Sequence, residues 1–208
     1  MHDLVIRGAQ VIDGTGAAAK VADVAVDDGI ITAVQNGVEI GPARQEIAAD
    51  GLLLTPGWVD IHTHYDGQAT WDPYLTPSSW HGVTTAVFGN CSVGFAPVRP
   101  GNEPYLINLM EGVEDIPETV LAEGINFNWE SFPEYLDALA STSRIMDIGA
   151  QVPHAALRYY VMGERGADFA ERPTEAEITR MSDLLEESLD PGALGFTTSR
   201  TVKHRAAD

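Results

Sequence analysis

Pro56-Gly57-Trp58-Val59-Asp60-Ile61-His62-Thr63-His64-Tyr65-Asp66-Gly67-Gln68 is the stretch on which the fold of this 208-residue chain turns. Just before it, the turn signal Asp50-Gly51 leads into Leu52-Leu53-Leu54, where alternation gives way to a continuous apolar run. Such runs mark strands buried on both faces of a parallel sheet. Trp58-Val59 reads as the end of a buried strand of that kind. Residues two apart in an extended chain face the same side, so His62 and His64 can present both imidazoles to one metal ion. A bare His-X-His pair is weak evidence, and two structural histidines would give the same spacing. Its place at the carboxyl end of a buried strand favours a site, because parallel barrels carry their catalytic residues there.

Upstream, residues 4–6 and 11–12 are apolar, Val21, Val24 and Val26 follow, and Asp28-Gly29 turns the chain into Ile30-Ile31. This pattern predicts short antiparallel strands in a small β-sandwich-like unit over residues 1–55, with the boundary near Thr55. Residues 56–208 read as α/β. A helix is expected over 78–82, a second buried strand over 84–88, a helix over 132–139, and a third strand over 144–152 that runs into Pro153-His154. Thr174, with Glu177 three residues on, is a capping box opening a helix whose stripe is Ile178, Met181, Leu184, Leu185 and Leu189. Asp190-Pro191-Gly192 stops it, and a last strand covers 193–196. The long segment from Arg99 to Trp129, rich in Gly, Pro and Glu, reads as a functional loop. Strands alternating with helices predict a parallel sheet or barrel. About four units fit here, the first part of a (β/α)8 barrel, whose closed form takes about 250 residues.

Thirty-one acidic against twelve basic residues give a formal charge of -19, which repels nucleic-acid phosphates and anionic membrane surfaces. Hydrophobic residues make up 44%, enough to bury a core. The sequence shows no basic, apolar leader and no apolar run of membrane-spanning length, so a cytoplasmic protein without nucleic-acid or membrane partners is expected. The single cysteine, Cys91, suits a reducing compartment. It has three readings: core residue, nucleophile or metal ligand. Gly89-Asn90-Cys91-Ser92 follows the second expected strand, at the end that corresponds to the histidine pair. There a thiolate is a soft anionic ligand for zinc. A cysteine-nucleophile reading needs an activating histidine and an orienting Asn or Asp, for which no motif is recognisable.

The stretch from Pro56 to Gln68 resembles the first-strand metal motif of the amidohydrolase superfamily. Gly89-Asn90-Cys91-Ser92-Val93-Gly94-Phe95-Ala96-Pro97 is similar to the N-acyl-D-amino-acid deacylase (D-aminoacylase) branch. So are Met110-Glu111-Gly112-Val113-Glu114-Asp115-Ile116-Pro117, residues 129–136, and Gly192-Ala193-Leu194-Gly195-Phe196-Thr197-Thr198-Ser199-Arg200. The resemblance spans essentially the whole chain. It implies an amidohydrolase-type barrel and zinc-dependent hydrolysis of the amide bond of N-acyl-D-amino acids by metal-activated water. It also implies one or two Zn2+ ions, with His62 and His64 on one metal, and Cys91 ligating the tightly held zinc or bridging two. In the family a cysteine here replaces the carboxylated lysine of other branches. Two further histidines and the general-base aspartate are expected beyond Asp208, so no catalytic acid–base residue is assigned within the chain, and the 208 residues alone are expected to be inactive.

Lesser candidates surround this core. Arg200 suits a bidentate grip on a substrate carboxylate and equally suits the surface. His154 and His204 follow expected strands, and Asp60 and Asp66 either orient the histidines or cap turns. Trp71, Tyr74 and Trp80 are expected to pack under the loop. Two other functions stay open: a cyclic-amide hydrolase of the dihydropyrimidinase kind, against which Cys91 argues, and a non-catalytic homologue that binds a metal or a partner. An incomplete barrel would expose strand edges, so self-association is expected.

Overall fold

The computed structural model describes residues 1–38, 40–114, 116–168 and 170–199. The chain divides into two compact units, Met1–Gly57 and a second that begins at Trp58.

The first unit is a sheet of β1 (His2–Val11), β2 (Lys20–Asp27), β3 (Ile30–Gln35), β4 (Ala43–Ala48) and the short β5 (Leu53–Leu54). β1 is the centre. It pairs antiparallel with β2, in register Leu4 to Val26 and Ile6 to Val24, and β2 pairs antiparallel with β3. On its other side β1 runs parallel to β4 and β5, so the sheet is mixed where antiparallel strands were expected. Arg-Gln-Glu over 44–46 masks β4 as a strand signal. This strand is largely exposed and carries no apolar alternation to read. Val5, Ala25 and Ile40 pack as one buried cluster, and Ala9, Val11, Ala22, Val24 and Ala49 as another.

The second unit contains β6 (Trp58–Asp60), β7 (Val83–Phe88), β8 (Asp147–Ala150), β9 (Val152–Pro153) and β10 (Phe196–Thr197). β7 lies between β6 and β8, and both pairings are parallel, with Asp60 beside Ala86 and Phe88 beside Ala150. β9 continues from β8 after Gln151 and pairs parallel with β10. Among the described residues its α-helices are α1 (Glu103–Glu114), α2 (Glu118–Gly124), α3 (Phe132–Ala140), α4 (His154–Met162) and α5 (Glu175–Leu189). Phe88, Phe95, Leu109, Met110, Trp129, Tyr135 and Val152 belong to a large buried core in this unit. Burying a Phe or Leu there contributes about 1.5–3 kcal/mol each, which is why these residues set the packing.

Local sequence explains most elements. Ser131 caps α3 by accepting from the Glu134 amide, and Glu134 returns a bond to Ser131. Thr174 and Glu177 form the expected capping box on α5. The α5 stripe is only half realised: Met181 and Leu184 are buried, while Ile178 and Leu189 are exposed. The expected helix over 78–82 is a 3-10 turn, Ser78–His81, ended by Gly82 in the left-handed conformation. The segment from Arg99 to Trp129 is no loop but holds α1 and α2. Leu106, Ile107, Leu109 and Met110 supply α1 with a buried stripe at helical spacing that the surrounding Gly, Pro and Glu obscure. The strand that opens this unit is not buried: Trp58 and Val59 are 59% and 58% exposed, because among the described residues β6 is an edge strand with β7 as its single neighbour. Tyr74 and Trp80 are likewise exposed rather than packed under a loop.

Candidate metal centre

The carboxyl ends of β6 and β7 are tied together by a short network. Beyond β6 the Asp60 side chain accepts from the His62 amide (3.1 Å), a turn-capping role. Thr63 then donates both its amide and its hydroxyl to the Val87 carbonyl, each at 2.9 Å. Asn90, buried just past β7, donates to the carbonyls of Thr63 (3.2 Å) and Val87 (3.0 Å). Its own side-chain oxygen accepts from Gln151 at 3.0 Å. One amide side chain thus pins the His62-Thr63-His64 segment to the turn that carries Cys91.

That turn is tight. Gly89 is left-handed (φ 81°), and a Cβ placed on it would lie 2.0 Å from the Gln151 carbonyl oxygen. The Thr197 hydroxyl also donates to the Gly89 carbonyl. Cys91 and Ser92 follow at φ 53° and 75°, a conformation that side-chain-bearing residues adopt only where surrounding contacts hold it. Ser92 accepts from the Ala155 amide at the start of α4 (3.0 Å). The backbone here is shaped to lift one side chain, that of Cys91, toward the histidines.

The result is convergence. His62 Nε2 and Cys91 Sγ are 3.2 Å apart, the two imidazole rings meet edge-on with centroids 5.5 Å apart, and one donor atom from each of His62, His64 and Cys91 lies within 4.8 Å of the others. His62 is exposed, while His64 and Cys91 are half-buried. Burial, then the charges of Glu114 and Asp66, push the Cys91 thiol up from its ordinary range. Asp66 is buried beneath the site (2% exposed), and burial pushes its carboxyl up to about 8, against the pull of the backbone amides of Asp66 and Gly89.

Two nitrogens and a sulfur at these separations suit zinc. Ligand distances of about 2.0–2.1 Å for His and 2.3 Å for Cys put tetrahedral donors roughly 3.3–3.6 Å apart, so small side-chain rotations close the set. A divalent cation would also reverse the pressure on the thiol, since a coordinating thiol is deprotonated outright.

The other sequence candidates fall outside this trio. His154 begins α4, its Nδ1 2.9 Å from the Thr198 hydroxyl and its ring against Phe196. Arg200 and His204 lie outside the described residues. Sequence reasoning missed two participants. Asn90 was visible only as part of a resemblance. Glu114, whose Oε1 sits 3.2 Å from His64 Nε2, lay in a segment read as loop.

With this geometry in hand, comparison with known proteins is direct. The chain belongs to the amidohydrolase family, whose sequence model matches residues 45–208. It is 36% identical over 196 residues to N-acyl-D-aspartate deacylase of Alcaligenes xylosoxydans xylosoxydans, covering 94% of this chain and 36% of that protein. Among solved structures it is similar to D-aminoacylase (TM-score 0.78, 34% identity, 95% of this chain and 38% of that one), described with a binuclear metal centre that one metal activates and a second attenuates. It is also similar to N-acyl-D-glutamate deacylase from Bordetella bronchiseptica (TM-score 0.70, 33% identity, 95% and 38%), complexed with zinc and a phosphonate mimic of the tetrahedral intermediate. The chain thus spans a little over a third of the length of these relatives. No helix among the described residues is long and apolar enough to cross a membrane.

Proposed function

We propose that this segment carries the first part of the zinc site of an N-acyl-D-amino-acid deacylase, with His62, His64 and Cys91 as ligands. In this reading the parallel strands β6 to β10 open a (β/α)8 barrel, and the three donors occupy the strand ends where such barrels place their chemistry. Held by these three side chains, a zinc ion would supply Lewis-acid polarisation of an amide carbonyl and a lowered pKa for water. His62 and His64 supply neutral nitrogen donors, and Cys91 supplies the anionic one. Asn90 and the left-handed turn hold all three in place, and the buried Asp66 follows two residues after His64. The observation that carries the reading is the meeting of two imidazoles and the chain's one thiol within 4.8 Å. The deacylase relatives supply the substrate class. The -19 charge supports a small-molecule substrate over a nucleic acid, and the exposed edge strand β6 supports self-association of this segment in isolation.

Three ligands from about a third of a relative's length imply that the remaining donors and the proton-transfer group come from elsewhere. The isolated 208-residue chain is therefore expected to bind zinc without turnover. The test offers N-acetyl-D-amino acids, their L enantiomers and dihydrouracil to a zinc-loaded protein of the relatives' length that carries this segment, and measures the amine released. Release from the D series, abolished by Cys91→Ala, is expected. Turnover of dihydrouracil with none of the D series would replace the proposal with a cyclic-amide hydrolase.

A further inference from the structure

The motif around Met110–Pro117 is not explained by the ligand set. α1 is anchored by Leu106, Ile107, Leu109 and Met110, and Glu114 stands four residues after Met110, on the same helix face. Met110 and His64 both line a cavity of about 140 Å3, with Gln68 and apolar residues that include Trp71, Phe95 and Leu121 making up the rest of its wall. Glu114 reaches His64 from this helix, its Oε1 3.2 Å from Nε2. The carboxylate does nothing for α1 itself, because an acidic residue in the last turn opposes the helix dipole. Nor is it one of the converging donors: that group contains His62, His64 and Cys91 alone among the described residues.

We infer that Glu114 is a positioning residue of the metal centre. Its carboxylate holds the Nε2 edge of His64 and fixes the tautomer, so that the other ring nitrogen presents its lone pair to the cation. Carboxylates that hold a ligating histidine in this way fix ring orientation and raise ligand basicity, and their loss typically weakens metal binding 10–100-fold. α1, inserted between β7 and β8, thereby connects the core of the second unit to the geometry of the site. The inference rests on the proposed zinc site.

The experiment measures Zn2+ affinity by chelator competition for the 208-residue chain and its Glu114→Ala, Glu114→Gln and Cys91→Ala variants, with circular dichroism to establish that each is folded. Co2+ spectra of the same proteins accompany it. Glu114→Ala is expected to bind Zn2+ about 10–100-fold more weakly. Glu114→Gln, which keeps an acceptor oxygen, should recover part of that loss, and the sulfur-to-cobalt band should keep its energy in both. Affinity for Glu114→Ala within twofold of wild type, while Cys91→Ala loses binding, overturns the role of Glu114 and leaves the site standing. A shifted cobalt ligand-field spectrum overturns it in another way, by making Glu114 a ligand. If Cys91→Ala also binds as wild type does, the zinc site itself fails and the inference with it.

Discussion

Replacing Gly89 by alanine should damage both the fold and the site, by an amount the geometry sets. At φ 81° any Cβ meets two penalties. The left-handed conformation costs an L-residue about 1–2 kcal/mol. The new methyl would also lie 2.0 Å from the Gln151 carbonyl oxygen, 2.9 Å from its carbon and 3.0 Å from its nitrogen. This neighbour is backbone between β8 and β9, so relief means moving strands, and overpacking of that kind costs about 1–3 kcal/mol. Together Gly89→Ala should lose roughly 2–5 kcal/mol of stability. Gly82→Ala is the control, in the same unit at φ 82°, where the nearest atom is Trp58 Cδ1 at an ordinary 3.5 Å. It should lose only the conformational part, about 1–2 kcal/mol. Urea denaturation of both variants beside wild type reads the difference directly. Equal losses would refute the claim that the close approach of Gly89 to Gln151 shapes the Cys91 turn.

Two further outcomes follow from the same structure. Asn90→Ala removes both donors that pin Thr63 and Val87, and should cost about 1–3 kcal/mol while weakening Zn2+ binding, as chelator competition would show. In the first unit, the Thr32 hydroxyl first, then His2, hold the Asp27 carboxyl down at about 2. A carboxylate depressed in the folded state stabilises it fully above the unfolded pKa of about 3.9, and that contribution is lost as pH falls toward 2. Asp27→Asn should therefore flatten the acid side of the stability profile between about pH 4 and 2 in a pH-stepped unfolding titration. An unchanged acid limb would count against the contact.

The site was more legible in the sequence than the fold around it. The candidate donors are rare residues: two histidines in one strand-end motif and a lone cysteine after the next strand needed only the right topology to meet. Elements held by burial in both strand and loop periods were harder to read. α1 and α2 were hidden because their stripe is short and framed by Gly, Pro and Glu, and β4 because an exposed strand has no apolar alternation. The expected burial of Trp58-Val59 failed for another reason: apolar character reports what a strand can bury, while neighbours decide what it does bury. The Glu114 contact depends on α1 bringing together residues fifty apart in sequence, which no local pattern records.

The central claim is that His62, His64 and Cys91 grip one cation together, and X-ray absorption at the zinc edge of the zinc-loaded chain tests it most directly. A single sulfur at about 2.3 Å with nitrogen donors at about 2.0–2.1 Å, the sulfur lost in Cys91→Ala, is the predicted result. A shell of nitrogen and oxygen alone in the wild-type protein would contradict it.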